Sequence, residues 1–569
     1  MERSLELNAA VEVVPAATPH PAAASSSGAA TAHPGVSRVV TAASLGTAFE
    51  WYDFVLYGSL APVLARRFFV GVDPTTAFIF ALMTFAVGFM MRPLGALVFG
   101  RIGDRIGRKH TFLITVGIMG AATVGVGLLP DHAAIGMAAP VSLICLRMLQ
   151  GIAVGGEYSG AMVYVAEHAP PRRRGIATSW ISASSTVGLL MSFVAILVSR
   201  RIAGDGFDEW GWRLPFLFAL LLLGISVALR IRMDESPQFQ ALRQQGRVSR
   251  APLRETFGDP RNLRRMLVAF ALCGGMAGVY FMSVMYPTFF LTQTLRMDAA
   301  MVNEIVLWVT AACTPFFVVA GWLCDRLGRK PMLMASFVLG AASIFPVFHG
   351  MSWYGNRALV EAMERAPVTL SADPRDCSFL FNPTGTRRFD TPCDIARQAL
   401  AGAGVDYTMK PAAQGVTRIA IGSAMLAPYD GRGLATAERT RQAGAFDARL
   451  RDTLDAAGYP RAADATQVDV PMLVAVMAWF LCCSILSVAA MAPALVELFP
   501  TRIRFTSLSL PYNLAAGWVG GLLPTLVFAI SAQAGNRYMG LWYPLGWMVM
   551  AALVLMVCYR ESRGVEEVG

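Results

Sequence analysis

The stretches GRIGDRIGRK at 100–109 and GWLCDRLGRK at 321–330 are two copies of one motif. Glycine, aspartate and basic residues recur at matching positions, 221 residues apart. A second pair, EHAPPRRR at 167–174 and ELFPTRIR at 497–504, recurs 330 residues apart. Each copy follows a corresponding apolar run in its half of the chain. The sequence therefore predicts two homologous halves, an arrangement typical of membrane carriers with internal repeats.

The composition indicates that lipid surrounds most of this chain. Of its 569 residues 55% are hydrophobic and only 15% are charged, whereas soluble domains carry about 25% charged residues. About twelve apolar runs approach the roughly 20 residues that a helix needs to cross hydrocarbon. We expect helices because backbone groups in lipid must pair within their own segment. The predicted spans are approximately 43–64, 76–99, 111–129, 139–165, 176–199, 213–231, 266–290, 302–323, 332–350, 471–495, 506–531 and 541–559.

The basic residues predict the orientation. The net charge of +10 comes largely from short clusters in alternate loops, including both motif copies. Such clusters favour the cytoplasmic side of a membrane and do not indicate a nucleic-acid partner. We therefore expect both termini inside. The predicted segments are a disordered cytoplasmic tail at 1–37, an N-terminal six-helix bundle at 38–233, a cytoplasmic linker at 234–263, a C-terminal bundle at 264–350 plus 471–560, and a short cytoplasmic tail at 561–569.

The two repeat distances differ by 109 residues, and this difference locates an insertion in the second half. Only the polar stretch 351–470 can hold it, and the number of crossings predicts that this insert is extracytoplasmic. Cys377 and Cys393 are its only cysteines. Because that compartment is oxidising in bacteria, we predict a small domain closed by a Cys377–Cys393 disulfide. A disordered loop without a bridge is the alternative, although 434–457 is rich in helix-forming residues.

The repeated motif is predicted to form a gate at the cytoplasmic rim. Its glycines allow helices to approach closely, and Asp104 can bind arginines or cap a helix. A basic loop that only sets topology is the alternative, but repetition of the same aspartate and glycines favours a gate. The predicted gate residues are Gly100, Gly103, Asp104, Arg105, Gly107, Arg108, Glu167, Asp325, Arg326, Arg329 and Glu497.

Acidic residues within the spans are candidates for proton transfer, because charges at membrane depth usually mark ion or substrate paths. Glu50 and Asp53 lie three residues apart and so share one face of the first span. Asp53, near mid-span, is the first candidate, and Glu50 and Glu157 are further ones. A static ion pair with an arginine is the alternative reading of these carboxylates.

Two arginines within spans are candidates for substrate binding. Arg92 requires a partner, for which Asp53 or a substrate carboxylate is expected; snorkelling to the interface is the alternative. Arg147 lies beside small residues that permit close helix packing, so it is expected to face the interior. Tyrosines near span ends are often interfacial anchors, but some could contact substrate. The additional predicted substrate contacts are Tyr57, Tyr280, Tyr512 and Asn513.

Several longer strings resemble a known family. FEWYDFVLYG at 49–58, MRPLGALVFGRIGDRIGRK at 91–109, RMLQG at 147–151 and DESPQF at 234–239 resemble the metabolite:proton symporter group of the major facilitator superfamily. Members of that group carry shikimate, citrate, 2-oxoglutarate, or proline and betaine. The resemblance implies an all-α membrane protein with twelve helices in two pseudo-symmetric bundles and alternating access. It does not extend to 351–470.

From these features we expect a monomeric proton-coupled importer of a small polar metabolite, an organic acid in particular, in the bacterial inner membrane. Intramembrane arginines favour an anionic or zwitterionic substrate. A proton-driven exporter on the same fold and a non-transporting receptor that senses ligand through 351–470 are the alternatives. The sequence has no P-loop and no HExxH pair, so no enzymatic activity, cofactor or metal is expected.

Overall fold

The computed structural model describes residues 34–70, 74–378, 389–413 and 415–562. Helix α1 begins four residues inside the stretch predicted as a tail, and residues 1–33 lie outside the described part. Six long helices form the first half: α1 (Pro34–Phe68), α2 (Pro74–Ile106), α3 (Arg108–Leu128), α4 (Ala138–His168), α5 (Arg174–Ala203) and α6 (Arg213–Ile231).

The stretch predicted as a linker contains two short helices, α7 (Pro237–Gln244) and α8 (Pro252–Gly258). Each begins with proline, whose fixed φ suits the first turn of a helix. The next membrane helix, α9 (Pro260–Val284), begins earlier than predicted, because Asp259 caps it by accepting from the Arg261 amide. It is followed by a single turn and a π-helical segment, Phe290–Thr294.

The rest of the second half holds helices α10 (Ala299–Leu327) and α11 (Arg329–Gly355), the insert, and then α15 (Val470–Leu498), α16 (Arg504–Leu514), α17 (Leu523–Ala534) and α18 (Trp542–Cys558). A π-helical segment, Ala515–Gly520, joins α16 to α17 within one span. Ten of the described spans are long and apolar enough to cross a membrane. With α1 and α2, of 35 and 33 residues, they make the predicted twelve.

The two halves pack in equivalent ways. Helix α2 packs on α4 in the first half, and α10 packs on α15 in the second. Between the halves, α2 packs on α16 and α10 packs on α5. Each motif copy breaks its helix pair at a single glycine, because Gly107 and Gly328 have φ of 118° and 104°, which other residues rarely adopt. The end of the bundle that holds these two glycines is called the motif end below.

The insert folds as a small α/β unit. Its elements are α12 (Arg357–Arg365), β1 (Val368–Ala372), α13 (Pro392–Gly402), β2 (Tyr407–Pro411), β3 (Arg418–Ile421), β4 (Ala424–Leu426) and α14 (Thr436–Ala456). The sheet order is β2-β1-β3-β4, with β1 and β2 parallel and the other pairs antiparallel. Parallel neighbours need a crossover, which α13 supplies. Because α11 continues to Gly355, the insert begins a few residues later than predicted.

The insert is attached to membrane helices of the second half at the ends opposite the motif end. The Tyr407 hydroxyl donates to the Ala532 carbonyl (2.7 Å) at the end of α17, and Arg537 binds Asp406 (Nε–Oδ2 3.0 Å). Asn356 donates to the Leu295 carbonyl (2.9 Å) just after the π-helical segment that follows α9. The insert is therefore joined by side-chain contacts to the two spans that contain π-helical turns.

Candidate functional site

A cavity of about 70 Å³ lies between the two halves. Helices α1, α2, α4 and α5 contribute one wall, and α9, α10, α15 and the π-helical segment Ala515–Gly520 contribute the other. The wall is largely aromatic, and it carries one acid, Glu50, and one base, Arg92. π-Helical turns are frequent at functional sites because they displace side chains from the regular helical pattern.

Glu50 and Arg92 form an ion pair at the cavity surface. Glu50 Oε1 lies 3.5 Å from Arg92 Nη2, and both side chains are largely buried. The Arg92 guanidinium also lies 4.5 Å from the Phe89 ring centroid. The other carboxylate oxygen of Glu50 is buried and accepts no hydrogen bond from the described residues. The expectation that Arg92 pairs with Asp53 is wrong. Its ion-pair partner is Glu50, which lies one helical turn before Asp53 in α1.

Asp53 instead lies within the first bundle and is held by three donors. Arg147 Nη1 donates to Oδ2 (3.0 Å), while Gln150 Nε2 and Thr123 Oγ1 donate to Oδ1 (2.9 and 2.8 Å). The Arg147 guanidinium lies 3.6 Å from the Tyr57 ring centroid. In the described part of the chain Asp53, Arg147 and Tyr57 do not line the cavity. The structure thus places Arg147 and Tyr57 in a buried network away from the cavity.

Glu157, the third proposed proton carrier, binds Arg230 of α6 (Oε1–Nη2 2.8 Å). Arg230 also donates to the Phe112 carbonyl (3.1 Å). Gly46 of α1 makes room for this pair, since a Cβ there would lie 1.7 Å from Arg230 Nη2. Glu157 is therefore buried between α1, α4 and α6, away from the cavity.

Tyr280 and Tyr512 do line the cavity, as predicted for substrate contacts, but Asn513 does not. The Tyr512 ring stacks on Tyr158, with centroids 5.3 Å apart. Asn513, one residue further along the helix, points away and donates to the carbonyls of Gly155 and Ser509, both at 2.9 Å. It joins α16 to α4 across the two halves.

Sequence reasoning missed most of the cavity wall. Trp51, Phe54 and Phe89 line it, together with Tyr158. Their signal is helical spacing around the charges: Trp51 and Phe54 lie on the same face of α1, and Phe89 precedes Arg92 by three residues. The available signal in the sequence was that each of these aromatic residues lies within one helical turn of an intramembrane charge.

At the motif end, each motif aspartate caps a helix of the opposite half. Asp104 Oδ2 accepts from the Thr506 amide (2.8 Å) and hydroxyl (2.7 Å) in the first turn of α16. Asp325 accepts from the amides of Gly175 and Ile176, both at 2.8 Å, in the first turn of α5. A carboxylate is stabilised there by unpaired amides and by the helix dipole. These caps connect the halves at two equivalent points.

Arginine–glutamate pairs surround these caps and also join the halves. Arg108 contacts Glu167 (Nε–Oε2 3.4 Å), which in turn binds Arg504 of the second half (3.0 Å). In the equivalent cluster, Arg329 binds Glu497 (2.9 Å), which contacts Arg174 of the first half (3.4 Å).

The predicted gate glycines make room for the second half. A Cβ on Gly100 would lie 2.8 Å from the Thr506 Cα, and one on Gly103 would lie 2.0 Å from the Phe505 ring. In contrast, Arg105 and Arg326 are exposed. Arg326 lies 4.0 Å from the Trp322 ring centroid. Both side chains therefore lie on the outer faces of their helices.

Two further residues that contact the motifs, Glu235 and Glu561, were not predicted. Glu235 accepts from the Arg108 amide (3.0 Å), and Glu561 accepts from the Arg329 amide (3.0 Å) and the Lys330 amide (2.9 Å). Each glutamate thus caps the helix after a motif glycine. Both are followed by serine, so the repeated Glu-Ser pair at 235–236 and 561–562 was the available signal. The segment predicted as a C-terminal tail begins with this contact.

In the insert, the predicted cysteine pair forms a disulfide. Cys377 follows β1, Cys393 lies in the first turn of α13, and their Cα atoms are 5.2 Å apart. The bridge joins the two sides of a segment, 379–388, that lies outside the described residues.

The arrangement of two six-helix halves around one cavity, closed by a repeated motif, defines a major facilitator fold. The chain belongs to the Major Facilitator Superfamily, whose sequence profile matches residues 43–363. The solved structure of the proton:xylose symporter XylE has the same fold, with a TM-score of 0.60 and 16% identity over 93% of this chain and 97% of that one.

Among curated relatives, the proline/betaine transporter of Salmonella typhimurium is 38% identical over 55% of this chain. The match covers 64% of that relative, somewhat less than two thirds of its length. The shikimate transporter of Escherichia coli is 35% identical over 55% of this chain and 72% of its own. The citrate-proton symporter of Salmonella typhi is 32% identical over 57% of this chain and 73% of its own.

Proposed function

We propose that this chain is a proton-coupled symporter that imports a small metabolite carrying a carboxylate group. One observation carries the proposal: the cavity between the halves contains a single acid–base pair, Glu50 with Arg92. The relatives named as transporters of shikimate, of proline and betaine, and of citrate with protons support both the substrate class and the coupling.

The pair suggests how a proton and a substrate are coupled. While Glu50 is ionised it competes for Arg92 with any carboxylate that enters. Protonation of Glu50 removes that competitor and leaves the planar Arg92 fork free to bind the substrate carboxylate in a bidentate manner. Substrate binding and proton binding then favour each other, as symport requires.

The closed motif end gives the direction of access in this state. Asp104 and Asp325 hold the halves together there, so the cavity is sealed on that side. Rocking of one half against the other would break both caps and open it. If the motif end is cytoplasmic, as the basic residues predict, this conformation precedes release of substrate into the cell.

The aromatic wall supports a second candidate substrate class, zwitterions that carry an alkylated ammonium group. Trp51, Phe54 and Tyr280 face the same cavity as Arg92. Aromatic faces attract such cations at about 0.5–2 kcal/mol per ring, while Arg92 would bind the carboxylate. A neutral pair at the cavity also suits a substrate without net charge better than a polyanion.

The test is counterflow in proteoliposomes with a panel of hydroxy acids, dicarboxylates, amino acids and betaines. Transport of the wild-type substrates should be lost or weakened in Arg92→Gln and retained in Arg105→Gln, which removes an exposed arginine of the same helix. Uptake with a proton gradient directed inward identifies an importer; uptake only with the opposite gradient identifies an exporter. Saturable ligand binding without any exchange would contradict transport and favour a receptor.

A further inference from the structure

A second and larger cleft lies in the insert, separate from the central cavity. It has a volume of about 840 Å³ and runs between α13 and α14, within the range of about 300–1,000 Å³ that small-molecule sites occupy. Phe446, Leu450 and Leu454 of α14 form an apolar side of the cleft. Arg296, which lies in the connection after the π-helical segment that follows α9, also lines the cleft.

The cleft has an excess of positive charge at the end nearest Arg296. Arg296, Arg451 and Arg461 line this end with Asp447 and Asp455. Arg461 is ion-paired with Asp455. At the opposite end Arg439 is paired with Asp390 (3.2 Å). The remaining charges at this end are Arg296, Arg451 and Asp447, which lies one helical turn before Arg451 and interacts with it, so one positive charge is in excess.

Neither of these two arginines has a carboxylate within 4.0 Å in the described part of the chain. Arg296 donates only to the backbone carbonyls of Arg461 and Gly402, both at 3.3 Å. Burial lowers the pKa of the Arg296 guanidinium and the nearby charge of Arg451 acts in the same direction, while the smaller effect of Asp455 opposes them. Two like charges beside a cleft repel each other, and an anion placed between them would remove that repulsion.

The backbone of Arg296 supports a binding role. It is the one residue other than glycine with positive φ in the described chain, at 55°. Such conformations persist where the surroundings fix them, and they are frequent at ligand sites.

We propose that this cleft is a second binding site, for an amphipathic organic anion whose carboxylate or phosphate group bridges Arg296 and Arg451. The planar guanidinium groups match either oxyanion. The apolar body of the ligand would lie along Leu450 and Val405, which line the same cleft. This site goes beyond the proposed transport function, because it shares no residue with the central cavity.

The test measures binding of phenylacetate and phenyl phosphate to the full chain in nanodiscs, with the neutral 2-phenylethanol for comparison. Binding of either anion should weaken about tenfold or more in Arg451→Gln. The matched control is Arg449→Gln, which removes an exposed arginine of the same helix that does not line the cleft. The anion that binds with the higher affinity identifies the oxyanion that the site prefers.

Two further measurements separate this site from the transport site. Arg92→Gln should leave anion binding to the cleft unchanged, whether or not the protein transports anything. Hydrogen exchange should slow on anion binding in peptides from α14 and from 290–297. Equal affinity for 2-phenylethanol, equal affinity of Arg451→Gln and wild type, or protection confined to the central cavity would each overturn the proposal.

Discussion

At the scale of single residues, the three intramembrane acids differ in what surrounds them. Glu50 faces the cavity, Asp53 is bound by three donors, and Glu157 is bound by Arg230. Glu50 and Glu157 each keep one buried oxygen that accepts no hydrogen bond from the described residues. A proton carrier must reach both solvent and substrate in turn. The cavity position makes Glu50 the better candidate, although Asp53 remains one.

We predict that Glu50→Gln keeps counterflow of labelled substrate but loses accumulation driven by a proton gradient, because its neutral amide can no longer exchange a proton. The same assay on Asp53→Asn tells the two carriers apart. If Glu50→Gln still accumulates substrate, and Asp53→Asn keeps counterflow but loses accumulation, Asp53 carries the proton.

For Asp53 itself we predict a loss of stability. Asp53→Asn leaves the buried Arg147 charge unbalanced, which typically costs about 3–5 kcal/mol. Thermal unfolding in detergent should show a large drop, and the double variant Asp53→Asn with Arg147→Gln should recover part of it. The control is Glu361→Gln, which breaks an exposed pair with Arg357 and should change stability by less than about 1 kcal/mol. No difference between Asp53→Asn and this control would argue against a structural pair.

For Arg92 we predict that lysine is not an adequate replacement. Arg92→Lys keeps the charge but loses the bidentate fork. The apparent substrate affinity should fall by about 1–3 kcal/mol, or roughly 5- to 150-fold. Competition binding in detergent measures this change. Unaltered affinity would mean that Arg92 does not bind the carboxylate.

At the scale of helices, the motif end works through helix caps. Asp325 binds two amides of α5, which belongs to the other half. We predict that Asp325→Asn shifts the protein toward the state that is open at the motif end. Cysteines introduced between Asp325 and the central cavity should then react faster with a membrane-impermeant maleimide.

The control for that experiment is Asp298→Asn. Asp298 also caps a helix, accepting from the Met301 amide at the start of α10 (3.0 Å), but the cap lies within one half. It should leave the labelling rate unchanged. Equal labelling of wild type and Asp325→Asn would show that the cap does not hold the gate closed.

At the scale of the whole molecule, the insert is an α/β unit whose buried residues share one hydrophobic core with the membrane helices of the second half. Its bridge gives a direct prediction: of nine cysteines, seven should react with a thiol reagent in the denatured, unreduced protein, and all nine after reduction. The seven that react are buried or partly buried in the native membrane part, apart from the exposed Cys145. Nine reactive thiols before reduction would show that Cys377 and Cys393 are not bridged.

The sequence determined the architecture, because lipid leaves few choices for a chain of this composition. Apolar length fixed the spans, the repeated motif fixed the two halves, and the mismatch of repeat distances located the insert. Helix ends were less predictable: α9 begins in the predicted linker because the Asp259 cap, and not the end of the apolar run, sets its start.

Only the tertiary structure decided which charged residues form ion pairs with each other. Arg92 pairs with Glu50 and Arg147 with Asp53, because helix rotation and packing, which spacing along one helix does not encode, set the distances between helices. The same reason explains why Glu235 and Glu561 cap the helices that follow the motif glycines, and why Asn513 faces a neighbouring helix instead of the cavity. The sequence supplied the charged groups, and the packing of α1, α2 and α4 placed one of the three acids at the cavity.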